Sequence, residues 1–399
     1  MDSISPALNT TQVIPTVDWA ARHSAFALPP QVIYLDGASK AARLHAVQRA
    51  AYDAIDQGAL PWRTPHDDWM RHIERTRQLA AQTLFDDDID GLALVPSVAS
   101  GLATVAQNLP LRAGQAVLVL EGQFPSNLMV WQQRCALVGA QVLAAVPTED
   151  ETLTDAVLRM VECTPTLGIV TLPHCDWHDG RMLDLDRISD AVHARGAALV
   201  LDLSQSLGIL PARLSRWRPD FVVAVGYKWL LGPMGLAWLW ASPHWRHAGQ
   251  PIEHHWLARD AGDAWHFPIT APPPYQPGAR RFDAGGISDP LRLAMAAAGL
   301  AQLQRWQPAQ IAAELEKVTA ALDLALDAAG LHAWKTPGHA PHMTGLRIPA
   351  ARLELVAAAF AEHRIICSRR HGCLRLAPYL TVHPEQMAHV VDIAVRASF

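Results

Sequence analysis

Lys228 is the residue best suited by its surroundings to covalent chemistry: it follows the apolar run Phe221–Val225 in VAVGYKWLLGPMG. Apolar surroundings disfavour an ammonium group, so the free amine becomes available to form a Schiff base with an aldehyde. The plainer alternative is a lysine whose stem lies on apolar surface while its charge stays in water. Asp202 closes another apolar run, in LVLDLSQSLG. A carboxylate there is costly unless it meets a cation, and a protonated heterocyclic nitrogen is a suitable one. Capping of the next turn is its simpler role. The third feature is the run Leu92–Val95 followed by PSVASGLATVAQNL, where Ser97, Ala99, Ser100 and Gly101 open a helix directly after a strand. Free amides at such a start bind phosphate, although an ordinary serine cap has the same composition. Taken together, the three features describe one ligand with a phosphate, a basic ring nitrogen and an aldehyde. Pyridoxal 5′-phosphate has all three.

These residues need a rigid frame. Short apolar runs recur at Leu92–Val95, Ala116–Leu120, Gln141–Val146, Leu167–Leu172, Ala197–Leu203 and Phe221–Val225. Helical periodicity marks Leu44–Gln57 and Asp67–Leu84 before them, and Pro125–Val138, Thr154–Val161 and Leu185–Ala194 between them. Continuous apolar strands alternating with helices predict an α/β fold with a mostly parallel sheet covered on both faces. Ligands in such folds lie beyond the carboxyl ends of the strands, which is where Asp202 and Lys228 fall. The stretch from Ala261 to Pro290 is rich in proline and glycine and reads as an irregular connection. A long helical region (Leu291–Ala329) follows, then a strand (Thr344–Ile348), a helix (Ala351–His363), strands (Ile365–Ser368, Cys373–Leu376) and a last helix (Pro384–Val395). This is the pattern of a second, smaller α+β domain. The expected division is a segment 1–30 packing with the small domain, a large domain 31–284 and a small domain 285–399.

Composition excludes several classes. Of the 399 residues, 50% are hydrophobic and 18% charged, which predicts a large core rather than disorder. The 33 basic residues against 38 acidic ones give a net charge of −5, unlike a nucleic-acid binder with a basic face. The five cysteines (Cys135, Cys163, Cys175, Cys367, Cys373) form an odd set with no paired spacing, which predicts free thiols and no metal site. Phe221–Ala241 is long enough and apolar enough to suggest a membrane helix. Lys228 near its middle would cost about 3 kcal/mol in a bilayer, and Gly226, Gly232, Pro233 and Gly235 interrupt it. Two buried strands joined by a loop are therefore expected, in a soluble, cytoplasmic protein without a membrane partner.

The ordered motifs YLDGAS, SVASGLATVA, EGQFPSNLMVW, HCDWHDG, DLSQSLG, GYKWLLGPMG, FDAGG and LRLAPYL run from Tyr34 to Thr381. As a set they resemble the class-V aminotransferase superfamily of fold-type I pyridoxal-phosphate enzymes, which includes cysteine desulfurases, kynureninases and isopenicillin-epimerase-like proteins. The resemblance implies that Lys228 bonds to the cofactor, that Asp202 pairs with the ring nitrogen, and that Gln205 lies near the phenolic oxygen. It places Phe124 over the ring face and the amides of Val98 and Ala99 at the phosphate, with Tyr227 reaching the same phosphate as in kynureninases. Gly286 falls where a residue of the neighbouring subunit completes the phosphate site, which implies a homodimer with shared active sites. Arg375 matches the arginine that grips the substrate carboxylate.

Two departures narrow the activity. Only HGCL separates Arg370 from Arg375, so the cysteine-bearing loop of desulfurases is absent, and Trp177 stands where desulfurases usually have asparagine. The expected function is amino-acid conversion, first as an aminotransferase; a kynureninase-like or carbon–sulfur lyase and an epimerase are the alternatives. A non-catalytic binding protein on the same fold would fit the loss of Lys228 or Asp202, and both are present. A nicotinamide dehydrogenase is disfavoured because no GxGxxG follows a strand.

Overall fold

Apolar runs without polar alternation should form strands that are buried on both sides. The computed structural model describes residues 19–63, 65–262 and 266–398. After a short strand β1 (Ile33–Tyr34), the chain lays down β2 (Leu92–Val95), β3 (Ala116–Leu120), β4 (Gln141–Ala145), β5 (Leu167–Pro173), β6 (Ala198–Asp202), β7 (Phe221–Val225) and β8 (Ala237–Ala241). These last seven form one sheet in the order β2-β8-β7-β6-β5-β3-β4. Pairings from β7 through to β4 are parallel, and β8 runs antiparallel to both β7 and β2.

Alternate side chains supply two cores. Leu92, Leu94, Leu118, Leu120, Leu199, Leu201, Trp238 and Trp240 face one core, while Ala93, Val95, Val117, Val200, Phe221, Val223 and Leu239 face the other. The helices Val98–Asn108 and Ser126–Val138 cover the second face through Leu102, Val105 and Trp131. The first face lies under helices including Leu153–Cys163 and Leu185–Ala194. Each fully buried Leu or Phe contributes roughly 1.5–3 kcal/mol relative to exposure, so the sheet is a stiff platform. The run once suggestive of a membrane helix is the antiparallel pair β7 and β8, as expected. Among the described residues, no helix is long and apolar enough to cross a membrane.

The long helical region after residue 290 is two helices, Pro290–Trp306 and Pro308–Ala328. They meet at Gln307, whose φ is 61°, with Pro308 opening the second helix. Leu293, Ala296, Leu300 and Leu303 of the first helix belong to the core of the large domain. The separate small core takes in Leu35 from early in the chain and then Val318, Leu322, Leu353, Val356, Phe360 and Val390. The two cores part within the second helix, between Leu315 and Val318. Strands β9 (Thr344–Leu346), β10 (Ile365–Ile366) and β12 (Cys373–Leu376) add Leu346, Ile365, Leu374 and Leu376 to the small core, and β11 (Ser368–Arg370) lies between the last two. Strands β11, β12 and β9 form an antiparallel sheet, while β10 pairs with β1. Of the expected N-terminal segment, residues 1–18 lie outside the described residues. Phe26 packs against Trp306 and Tyr379 and joins the larger core.

Candidate active site

Strands β2, β3, β5, β6 and β7 all point the same way, so their carboxyl ends meet along one edge of the sheet. A cleft opens there. Val98 comes from the turn after β2, Gln123 and Phe124 from after β3, and Pro173 and Trp177 from the end of β5 and beyond it. Asp202 ends β6, with Ser204 and Gln205 just after it, and Val225 ends β7, with Tyr227 and Lys228 just after it. The topology thus gathers residues that are distant in sequence, as open α/β sheets do.

Lys228 is 8% exposed, in a tightly wired turn. Gly226 donates its amide to Leu236 and accepts from Gly232, and the Leu231 amide donates to the Lys228 carbonyl. A Cβ at Gly226 would lie 2.6 Å from the Leu236 oxygen, so glycine is required there. Burial lowers the Lys228 amine to about 8; nearby Asp202 opposes this, while Arg375 and Arg370 add to it. The amine lies 5.6 Å from the centre of the Phe124 ring, and Phe124 meets Trp177 edge to face at 5.3 Å.

Asp202 is 6% exposed. One of its oxygens accepts from the Ser204 amide at 3.0 Å. Burial pushes its carboxyl above the ordinary value, and among the described residues no cation forms an ion pair with it. Tyr227 is half-buried beside it, and burial raises its phenol. Ser97 caps the helix that starts at Val98 by accepting from Ser100; amides in such a first turn have no helical acceptor. Val98 lines the cleft, whereas Ala99 does not.

Gln205 lines the cleft, and its side chain also has structural work. Its amide nitrogen donates to the Ala38 carbonyl at 3.1 Å, and its oxygen accepts from the Trp229 indole at 3.1 Å. The Gln205 carbonyl lies 2.6 Å from the ring nitrogen of His342, a buried imidazole kept neutral by a value lowered to about 4. Arg375, with 1% of its side chain exposed, donates to the Trp177 carbonyl at 2.7 Å and to Ser39 at 2.6 Å, and pairs with Asp36 at 3.2 Å. Burial and the neighbouring Arg370 lower it to about 10. Gly286 is not among the residues of this cleft; it lies at φ 75° beside a separate groove with Ala50, Asp53 and Gln57.

The sequence profile of the aminotransferase class-V family matches residues 33–399. The chain belongs to that family. An uncharacterized aminotransferase of Bacillus subtilis (strain 168), YcbU, is 26% identical over 90% of this chain and 92% of its own length. A kynureninase of Deinococcus radiodurans is 28% identical over 71% of this chain and 70% of its own length. The fold matches a C-DES variant with glycine covalently linked to its PLP cofactor, at TM-score 0.78 and 18% identity, over 91% of this chain and 96% of that one. In this class-V chain, the signals of Lys228, Asp202, Val98, Phe124 and Tyr227 converge on one cleft. Gln123, Pro173, Ser204 and Val225 join them from unremarked positions whose residue types carry no chemical signal. Only their place just beyond strands could have disclosed them.

Proposed function

We propose that this class-V enzyme uses pyridoxal 5′-phosphate to convert an amino acid, first as an aminotransferase. The carrying observation is that Lys228 and Asp202, both buried and neither in an ion pair among the described residues, line one cleft with the Val98 helix start. The residues fit the cofactor: Asp202 would hold a protonated ring nitrogen, relieving a carboxylate that burial disfavours. The first-turn amides at Val98 and Ala99 would meet the phosphate, with Tyr227 reaching the same group. Phe124 would cover the ring face, and Gln205 retains an N–H for the phenolic oxygen. When bound, the cofactor supplies an aldehyde that amines condense with and a ring that takes up electrons released at the substrate α-carbon.

Lys228, lowered to about 8, can accept or donate a proton near neutral pH. Its Nζ would take the α-proton and return it at a different carbon. Arg375, which donates to the carbonyl of the cleft residue Trp177, would orient the substrate carboxylate. Transamination is favoured over desulfuration because no thiol is suited to attack. Cys373 is buried on β12 and raised to about 11, and Cys367 is raised to about 12, chiefly by burial. Tyr227 at the cleft supports a kynureninase-like lyase as the second reading. We further propose a homodimer in which Gly286, remote from its own cleft, serves the neighbouring copy's phosphate; a monodisperse monomer by light scattering that still binds cofactor would contradict this.

The purified protein with pyridoxal phosphate should be yellow, and Lys228→Ala should remove the visible band of the parent. Amino acids that discharge this band with release of a keto acid would establish transamination. Release of alanine or sulfide without a lasting change in the band would establish a lyase. A protein that takes up no cofactor refutes the reading.

A further inference from the structure

His342 lies outside the cleft, fully buried, in a segment that is pinned on two sides. On one side the Ala340 amide donates to the Gly180 carbonyl at 2.8 Å, and the Met182 amide to the Gly338 carbonyl at 2.9 Å. A Cβ at Gly180 would lie 2.1 Å from the Met343 oxygen, so only glycine allows this approach. On the other side Thr319, from the helix Pro308–Ala328, donates its hydroxyl to the Pro341 carbonyl at 3.1 Å. The segment 338–343 is thus clamped between the loop that carries Trp177 and a helix that both cores share.

Within that clamp the imidazole makes one hydrogen bond. Its Nε2 lies 2.6 Å from the Gln205 carbonyl, and a carbonyl can only accept, so the ring proton sits on Nε2. Burial keeps the ring neutral, which leaves Nδ1 a bare acceptor, and Nδ1 has no partner among the described residues. A buried acceptor left unpaired costs stability. A leucine would fill a similar volume without that cost, so packing alone does not account for a histidine here. The ring also meets the Trp229 indole edge to face at 4.6 Å. Trp229 directly follows Lys228, and its indole N–H donates to the side-chain oxygen of Gln205.

We propose that His342 is a positioning residue for the cofactor, which acts by fixing Gln205 through its main chain and through the Trp229 ring. The inference rests on the pyridoxal-phosphate reading above and adds to it a residue that does not line the cleft. The Gln205 amide is planar and is held at both ends, its nitrogen on the Ala38 carbonyl and its oxygen on Trp229. The direction of its second N–H is therefore set by where its backbone stands. His342 holds that backbone. Without it the Gln205 carbonyl keeps the Cys175 thiol at 3.6 Å, a weak donor.

The test titrates the cofactor-free full chain with pyridoxal phosphate and reads affinity from the visible band, with the melting temperature of the cofactor-free protein measured beside it. His342→Leu should weaken cofactor binding by about 3- to 10-fold, the effect of one neutral hydrogen bond. Its melting temperature should stay near that of the parent, because the unpaired Nδ1 leaves together with the bond. His342→Gln, whose amide nitrogen reaches the place of Nε2, should recover most of the affinity, whereas His342→Asn, which ends near Nδ1, should not. In a Gln205→Leu background the effect of His342→Leu on affinity should vanish. Should His342→Leu fail to fold, the contrast between the Gln and Asn variants decides the matter. Unchanged affinity in His342→Leu, equal affinities in the Gln and Asn variants, or a loss that persists without Gln205 overturns the proposal. A parent protein with no visible band overturns the underlying reading instead, and this proposal with it.

Discussion

Two buried charged pairs in this molecule follow opposite designs. Arg77 is fully buried and grips both oxygens of Asp283, at 3.1 and 2.6 Å, while also donating to the Leu92 carbonyl and to Glu74. Asp283 accepts in addition from the Leu94 amide at 2.8 Å. This network is finished within the chain and ties the helix His66–Leu84 to β2 and to the FDAGG segment. Lys228 and Asp202 are nearly as buried, yet neither has an ion-pair partner among the described residues. The first pair stabilises the fold; the second leaves buried charge for a ligand to compensate. Completeness of partners, rather than burial, separates scaffold from site.

The largest expected effect breaks the finished network. Asp283→Asn removes the more buried of the two carboxylates on Arg77 and leaves it Glu74 alone, and should cost about 3 kcal/mol in denaturant unfolding. A loss below about 1 kcal/mol would mean that Arg77 finds water or another partner.

The open pair should respond in the other direction. In the cofactor-free protein Lys228→Met should stabilise by about 3 kcal/mol at pH 7, from the fall of the amine from 10.5 to about 8. Because the folded value lies below the unfolded one, folding disfavours the proton. The parent's stability should therefore rise with pH from about 8 and level off near 10.5. The advantage of Lys228→Met should vanish over the same window. If the advantage persisted at pH 11, packing rather than charge would be its source.

A smaller effect concerns rate. Uptake of pyridoxal phosphate by the cofactor-free protein needs the neutral amine, so its rate should fall as pH drops through about 8. A midpoint near 10 would place Lys228 in a water-like environment. Smaller still, Cys373→Ser should change turnover by less than about twofold, because burial keeps that thiol protonated at neutral pH. A large loss would reopen a sulfur-transfer role.

Much of the frame was legible in the sequence because it rests on local pattern. The runs at Leu92–Val95, Ala116–Leu120 and Phe221–Val225 became strands with those bounds, since uninterrupted apolar residues leave few other places for such segments. Lys228 and Asp202 were legible for a related reason: each is a charge at the end of such a run. The Arg77–Asp283 network was not, because its halves lie 206 residues apart and only the folded sheet joins them. The break at Gln307 escaped notice because apolar periodicity continues on either side of it. Arg375 was legible through its motif, but the Asp36, Ser39 and Ser368 groups that hold it come from turns and strands that only the fold brings together. Gly286 carries a motif but not a place in its own cleft, and strand patterning says nothing about a second subunit.

The chain has four lysines, Lys40, Lys228, Lys317 and Lys335. Lys228 alone among them is buried. This makes covalent attachment decisive to measure. The protein should be incubated with pyridoxal phosphate, reduced with borohydride and digested for mass mapping of the peptides. The pyridoxyl mass is expected on the peptide that contains Lys228, in near-stoichiometric yield, and on no other lysine to a comparable extent. A label spread over Lys40, Lys317 and Lys335, or absent from Lys228, would contradict the assignment of this cleft as the cofactor site.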